Sequence, residues 1–362
     1  MKYYVQEVNS NSAMSRTADV KARVDIECIL NDNGAIALEI PSIQNERKSA
    51  SLIKKLLLHK AVANIWRNQL ESLSMGDVVY FQLPIRGHTI LLNSVFDELK
   101  KRKVKVVFIV HDLEVLRFAL SKQFSYKQRV RILFEEKTQL KKASAIIVHN
   151  RKMMKYVGKS MGISDKKMVS LEMFDYLLND VDQQRMNSRN LGRNMPVIIA
   201  GNLSKEKSGY IYDLPGNQEF NLYGINYNTN NIPDNIHYQG SFESNELPYV
   251  LEGSFGIVWD GSSSTTCEGI YGEYLRINNP HKTSLYLASG IPVIIWSQAA
   301  LADFVTRNRC GLLVDSLAEI HDRISKITDA EYEEMIKNAK VIAEQLRKGM
   351  FTVNALKKAE LI

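Results

Sequence analysis

The stretch NNPHKTSLYLASGIPV at 278–293 decides how the rest of the chain reads. It runs from a polar turn through a basic residue and a short helix to a glycine stop and a buried strand. Asn278, Asn279 and Pro280 make a turn and helix start, with Pro280 near the first helical position, where its missing N–H is harmless. Lys282 then lies in a first turn whose backbone N–H groups lack intrahelical partners, a favourable place for an anion. Leu285, Tyr286 and Ala288 line the inner face, Gly290 ends the helix in the left-handed conformation, and Val293, Ile294 and Ile295 continue as a strand. A helix start that presents a lysine and open N–H groups is what a nucleotide diphosphate needs. An ordinary helix–strand turn with a solvated lysine fits the same letters.

Outward from this unit, the apolar runs are short, rich in β-branched residues and separated by helical stretches. Strands are expected at 3–8, 36–40, 77–82, 104–110 and 145–149, and again at 196–200, 219–224, 235–239, 256–259, 291–296 and 311–314. Helices are expected at 47–72, 89–102, 316–326, 329–346 and 350–360. Alternation of strand and helix argues for parallel α/β sheets. Two such runs of roughly 160–180 residues predict two Rossmann-like lobes with a cleft between them. The boundary is expected in the polar stretch 176–195, YLLNDVDQQRMNSRNLGRNM.

The 362 residues are 45% hydrophobic and 24% charged, the balance of a globular protein. The opening MKYYVQEVNS reads as a strand without an apolar signal core, and no apolar run approaches the ~20 residues that span a bilayer. Cys28, Cys267 and Cys310 are too far apart for a disulfide framework or a zinc site. The implied compartment is the cytoplasm. Net charge is 47 − 40 = +7, unevenly spread: 100–160 holds 17 Lys/Arg against 4 Asp/Glu. That region is either a set of solvated helix faces or a surface for anionic lipid, nucleic acid or a phosphorylated acceptor. No nucleic-acid-binding signature accompanies it, so an anionic membrane surface, peripheral on the inner face, fits better.

In open parallel sheets ligands bind beyond the carboxyl ends of the strands. Four such ends stand out. After 196–200, Gly201 lets backbone approach a phosphate, Asn202 donates or caps, and Lys205 brings charge. After 104–110, His111 and Asp112 offer an imidazole and a carboxylate for deprotonating a hydroxyl, unless Asp112 only caps the next helix. After 256–259, Asp260 can bind a sugar hydroxyl or start a turn, and 261–275 reads as a mobile loop over the cleft. After 3–8, Asn11 and Ser12, with Arg16 close behind, can touch donor or acceptor, or cap a helix. Asp180-Val181-Asp182 matches a metal-binding DxD pattern, but it sits in the polar boundary stretch rather than after a strand. No metal site is expected.

Taken together these features describe a nucleotide-sugar transferase of the two-Rossmann, GT-B type. AGNLSKEKS at 200–208, FGIVWDG at 255–261 and YGEYLRINNPHKTSLYL at 271–287 resemble bacterial β-1,6-galactofuranosyltransferases of O-antigen or capsule assembly. ALADFVTRNRCG at 300–311, VHD at 110–112, VHN at 148–150 and FDYL at 174–177 extend the resemblance over both lobes. More distantly the chain is similar to the glucosyltransferases that extend glycans on streptococcal adhesins.

The resemblance implies a GT-B fold divided as 1–178, an acceptor-side lobe; 179–345, a nucleotide-sugar lobe; and 346–362, a C-terminal helix packing back on the first lobe. It implies a UDP-galactofuranose donor, a sugar hydroxyl of a lipid-linked or oligosaccharide acceptor, no cofactor, and metal-independent inversion. Carried onto this sequence, Lys205 and Lys282 neutralise the leaving diphosphate, and Gly201 and Asn202 lie beneath it. Asn279 and His281 touch ribose or phosphate, Tyr238 and Gly240 wall the uracil, and Asp112 is the base with His111 as substitute. Many retaining enzymes of this architecture carry two glutamates eight residues apart before the last phosphate helix. Ile277 and Leu285 stand there instead, which is compatible with single-step inversion. A glucosyl- or galactopyranosyltransferase, or a non-catalytic nucleotide-sugar-binding protein, remains an alternative reading. The oligomeric state is open, a homo-oligomer included.

Overall fold

A computed structural model describes residues 1–8, 18–41, 52–87, 89, 91–119 and 126–362. The described residues divide into two compact units. One comprises Met1–Ser15, Arg23–Leu171 and Thr352–Ile362; the other comprises Arg16–Ala22 and Glu172–Phe351.

The first unit holds a six-stranded parallel sheet of β1 (Lys2–Val8), β2 (Ile36–Pro41), β3 (Val78–Leu83), β4 (Lys105–Val110), β5 (Ala145–Val148) and β6 (Met168–Ser170). Its order is β2-β1-β3-β4-β5-β6. The runs VVYFQL and KVVFIV supply the central pair β3 and β4, buried almost throughout, as strands covered on both faces must be. Trp66, Phe81, Phe96 and Phe108 lock sheet to helices. Phe96 sets its ring edge-on to Phe81 and to Phe108, with 5.3 Å between centroids in both pairs. At the opposite end of the sheet, Glu360 closes the last helix, Met350–Glu360. It pairs with Lys2 at 2.7 Å, accepts from Tyr80 Oη at 2.6 Å, and its carbonyl takes Lys105 Nζ.

The second unit holds β7 (Val197–Asn202), β8 (Phe220–Ile225), β9 (Ile236–Gly240), β10 (Gly256–Val258), β11 (Val293–Trp296) and β12 (Gly311–Val314). The sheet is again parallel, ordered β12-β11-β10-β7-β8-β9. This is the dinucleotide-fold order 3-2-1-4-5-6, with its direction reversing between β7 and β10. Trp259, Trp296, Tyr286, Tyr210, Phe220 and Phe255 are fully buried around it.

All eleven strands expected from the sequence are present, with ends within two residues. The reading missed β6, whose three residues are too short to show a pattern. The helix at 89–102 is Leu92–Lys101, and the described part of 47–72 is Leu52–Gln69. The expected helix 316–326 divides into a tight turn, Leu317–Glu319, and a helix, Ile320–Lys326, with a capping box at Ser316. The stretch 176–195 is not a free polar linker: Tyr176, Leu178 and Met186 belong to the second unit's core.

Candidate active site

In the second unit the sheet reverses direction between β7 and β10, so the carboxyl ends of these two strands form the natural ligand seat. β7 ends in Gly201 and Asn202, and β10 runs into Trp259 and Asp260. The helix His281–Ala288 starts beside them. Pro280 is its N-cap rather than its first helical residue, and Gly290, at φ +70°, follows its end. Tyr286 lies on the buried side of that helix, and its hydroxyl accepts the Ala200 N–H at 2.7 Å. The last turn of the helix and the end of β7 are thereby tied together one residue before Gly201.

Lys282 projects from the first turn of this helix, but its ammonium is not a solvated charge. It donates to the Trp259 carbonyl at 2.7 Å and to Asp260 Oδ1 at 2.8 Å. The two side chains are 12% and 8% exposed, so this is a nearly dry ion pair. Asp260 is therefore the counter-charge of Lys282, where the sequence had offered it for a sugar hydroxyl. Pairing is what makes burial of either group tolerable.

The loops around this pair are knitted backbone to backbone. Gly261 donates to the Lys207 carbonyl, and Tyr210 N–H donates to the Gly261 carbonyl. Gly261 has φ +115°, and a Cβ there would come within 2.5 Å of the Glu268 carbonyl oxygen. Gly201 is also in the left-handed region, at φ +131°, but has open space at its Cβ position. The close approach is at its register partner Gly224, where a Cβ would overlap the Gly201 carbonyl. The segment 261–275, expected to be a mobile loop, is tied down over 261–268 and helical over Gly269–Tyr274. Trp259 Nε1 donates to the Ser263 carbonyl, Ser264 Oγ to Asp213, and Leu317 N–H to the Ser264 carbonyl.

The remaining sequence candidates separate into those near this seat and those spent elsewhere. Asn202 Oδ1 accepts from Ser204 N–H and Asn226 Nδ2, and so shapes the turn after β7. Lys205 is exposed at the start of the short helix Lys205–Ser208. Lys207, which the sequence reading passed over, lies above the Tyr271 ring. Tyr238 is half-buried, donates to the Gly224 carbonyl and stands next to Tyr227, with Gly240 closing its strand. Asn279 is buried and donates its amide to the Glu172 carbonyl at 3.0 Å. His281 likewise stacks on Tyr176, with 5.2 Å between ring centroids. Asp182 caps the helix Gln183–Ser188, which gives half of the DxD pattern a local role. Asn11, Ser12 and Arg16 lie outside the described residues.

The first unit presents a different chemistry after β4. His111 is buried, and its N–H donates to the Leu83 carbonyl at 2.8 Å. Its Nε2 meets Gln82 Oε1 at 2.6 Å. The Gln82 amide is oriented by its other end, where Nε2 donates to Glu27 Oε1 and the Arg23 carbonyl. The imidazole therefore carries its proton on Nε2 and donates it, which removes that nitrogen from the role of base. His149 Nε2 donates to the His111 carbonyl at 2.8 Å. Burial lowers the His149 pKa to about 4, so this ring is neutral.

Asp112 follows, and the helix Glu114–Ala119 opens two residues later. The cap comes from a residue the sequence reading missed. Glu136, on the helix Tyr126–Lys142, accepts the Glu114 N–H at 2.9 Å and the Val115 N–H at 3.2 Å. Burial pushes its carboxyl up to about 8, against the lowering effect of those two bonds, with Asp112 and Glu114 adding repulsion. A sequence signal existed: Glu135, Glu136, Gln139 and Leu140 form the buried stripe of an otherwise basic helix. Glu27, also raised by burial, anchors the Gln82–His111 arm and was missed as well.

Comparison with known proteins identifies the family and agrees with the fold. Residues 2–173 match the family model Glucosyltransferase 3-like, N-terminal domain, and residues 197–359 match Glucosyltransferase 3-like, C-terminal domain. The chain is 32% identical over 352 residues to beta-1,6-galactofuranosyltransferase WbbI of Escherichia coli (strain K12), covering 96% of this chain and 95% of that protein. It is 26% identical over 283 residues to glucosyltransferase 3 of Streptococcus parasanguinis, covering 76% of each. Among solved structures, sucrose-phosphate synthase from Thermosynechococcus elongatus superposes with a TM-score of 0.63 at 14% identity. That match covers 99% of this chain and 98% of that one, and it speaks to the fold alone. A dinucleotide-fold unit with a lysine-bearing helix at its switch point, a second parallel-sheet unit, the two family-model matches and near full-length relatives place this chain in the glucosyltransferase 3-like family of GT-B glycosyltransferases.

Proposed function

We propose that the protein is an inverting transferase that moves galactofuranose from UDP-galactofuranose to a sugar hydroxyl of a lipid-linked surface-polysaccharide precursor, without a metal ion. The observation that carries this reading is Lys282. Its ammonium stands in the first turn of the helix His281–Ala288 and is held just beyond the end of β10 by the Trp259 carbonyl and the Asp260 carboxylate. A diphosphate arriving there competes with Asp260 for a cation already in place, and Lys205 adds a second charge at the rim. These charges offset the negative charge that builds on the departing UDP. Asp112 takes the acceptor proton as the hydroxyl oxygen bonds to the anomeric carbon and the bond to UDP breaks, a single displacement that inverts the centre.

The furanose donor is favoured because the E. coli relative named for it matches over nearly the whole chain. The glucosyltransferase 3 relative keeps UDP-glucose as the second reading. Support for a membrane-borne acceptor comes from the basic region. Arg151, Lys152, Lys155 and Lys159 are exposed along the helix Arg151–Met161, and Leu133 and Phe134 are exposed on the preceding helix. Among the described residues no helix is long and apolar enough to cross a membrane, so attachment would be through such a surface.

The deciding experiment incubates the protein and EDTA with a synthetic α-glucoside acceptor and either UDP-galactofuranose or UDP-glucose, reading UDP release, product mass and anomeric configuration. Transfer from the furanose donor with inversion is expected. Transfer from UDP-glucose alone overturns the donor, a retained configuration overturns the mechanism, and activity lost to EDTA but restored by a divalent cation overturns metal independence.

A further inference from the structure

The geometry points to Glu136 as a positioning residue for Asp112, an inference that rests on the reading of Asp112 as the base. The short segment 111–113 is suspended between two anchors. Upstream, His111 N–H is held by the Leu83 carbonyl of β3, and the His111 carbonyl is held by His149. Downstream, both oxygens of the Glu136 carboxyl take the consecutive amides of Glu114 and Val115. Two hydrogen bonds donated by adjacent peptide N–H groups to one carboxyl fix the orientation of both planes. The backbone direction leaving Asp112 is thereby set from a different helix.

A purely structural helix cap does not need this arrangement. A serine or asparagine just ahead of the helix would take the Val115 or Leu116 amide at no burial cost, but not the Glu114 amide, which Glu136 also holds. Instead a carboxyl is kept in a buried place where its charge is disfavoured, within electrostatic reach of Asp112 and Glu114 on one side and of Tyr156 on the helix Arg151–Met161. Buried ionisable groups that cost stability are commonly kept for what they do to a neighbouring site. Here the neighbour is the carboxylate that must meet an acceptor hydroxyl. Displacements of about 1 Å at such a group cost on the order of a hundredfold in rate.

The test compares Glu136→Ala, Glu136→Gln and Glu136→Asp in the full-length protein, alone and combined with Asp112→Asn. UDP affinity and donor KM are read beside kcat. Loss of the clamp is expected to lower kcat by about tenfold to a hundredfold, leave UDP affinity and donor KM within about twofold, and add nothing in the Asp112→Asn background. Glu136→Gln, which keeps one acceptor oxygen, should fall between Ala and wild type, so a misfolded alanine variant still leaves a readable series. A folded variant lacking the Glu136 carboxyl with wild-type kcat, while Asp112→Asn is inactive, overturns the role of Glu136 and leaves the base in place. Substantial turnover by Asp112→Asn itself overturns the base and this inference with it.

Discussion

The carboxyl ends of the two sheets solve the same task by opposite means. In the first unit, side chains grip backbone: Glu136 takes two amides, His149 a carbonyl, and Gln82 the imidazole of His111. In the second unit, backbone grips a side chain and other backbone. Lys282 is held by the Trp259 carbonyl, and glycines let neighbouring loops meet without a Cβ between them. Under the proposed function, the difference follows from the chemistry each end would serve. A proton acceptor must be aimed, which buried polar side chains can do. A diphosphate is bound through exposed N–H groups and a cation, which calls for bare backbone.

The comparison breaks most sharply at Lys282. Lys282→Ala is expected to lower turnover by about two to three orders of magnitude, because a positioned cation is lost from the leaving group. The measurement is kcat on protein shown to be folded, since Asp260 is left buried without its partner. Near-normal turnover would assign Lys282 to structure alone.

Next in size is the bare backbone itself. Gly261→Ala places a Cβ against the Glu268 carbonyl at φ +115°, and should cost about 2–3 kcal/mol in denaturant unfolding. Unchanged stability would show that the loops can move apart and that the close approach is not needed.

The first unit's grip is sharpened by pH. The folded protein raises the Glu136 carboxyl to about 8, so it retains a proton that the unfolded chain releases above the ordinary carboxylate range. This contribution is full at low pH and is lost as pH rises toward about 8. His149 runs the other way. With its pKa lowered to about 4, the unfolded chain takes up the proton first, and stability falls as pH drops from about 6.5. Glu136→Gln should therefore remove a decline of up to about 1.4 kcal/mol per pH unit between the ordinary carboxylate range and about pH 8. An identical slope in the variant would mean that Glu136 does not carry it.

The smallest effect is expected at Asn279. Its bond to the Glu172 carbonyl is buried, so Asn279→Ala should cost about 1 kcal/mol of stability and leave UDP affinity alone. A large loss of UDP affinity would return this side chain to the donor site.

The sequence by itself determined the two parallel sheets, because periodicity and strand length are local properties and each central strand writes its burial on both faces into a continuous apolar run. It also located the carboxyl ends of the strands, visible as the points where such runs stop near Gly201, Asp260 and Asp112. Only the tertiary structure decided what each polar residue there does. Asn279 and His281 stand just before Lys282 in sequence, yet the turn and helix send the three side chains to a backbone carbonyl, to the Tyr176 ring and to Asp260. Glu136 stands 24 positions beyond Asp112 in a basic helix, and packing alone brings it under the amides of Glu114 and Val115. Hydrogen bonds are short-ranged and directional, and partners distant in sequence meet only once the sheet has set the helices in place.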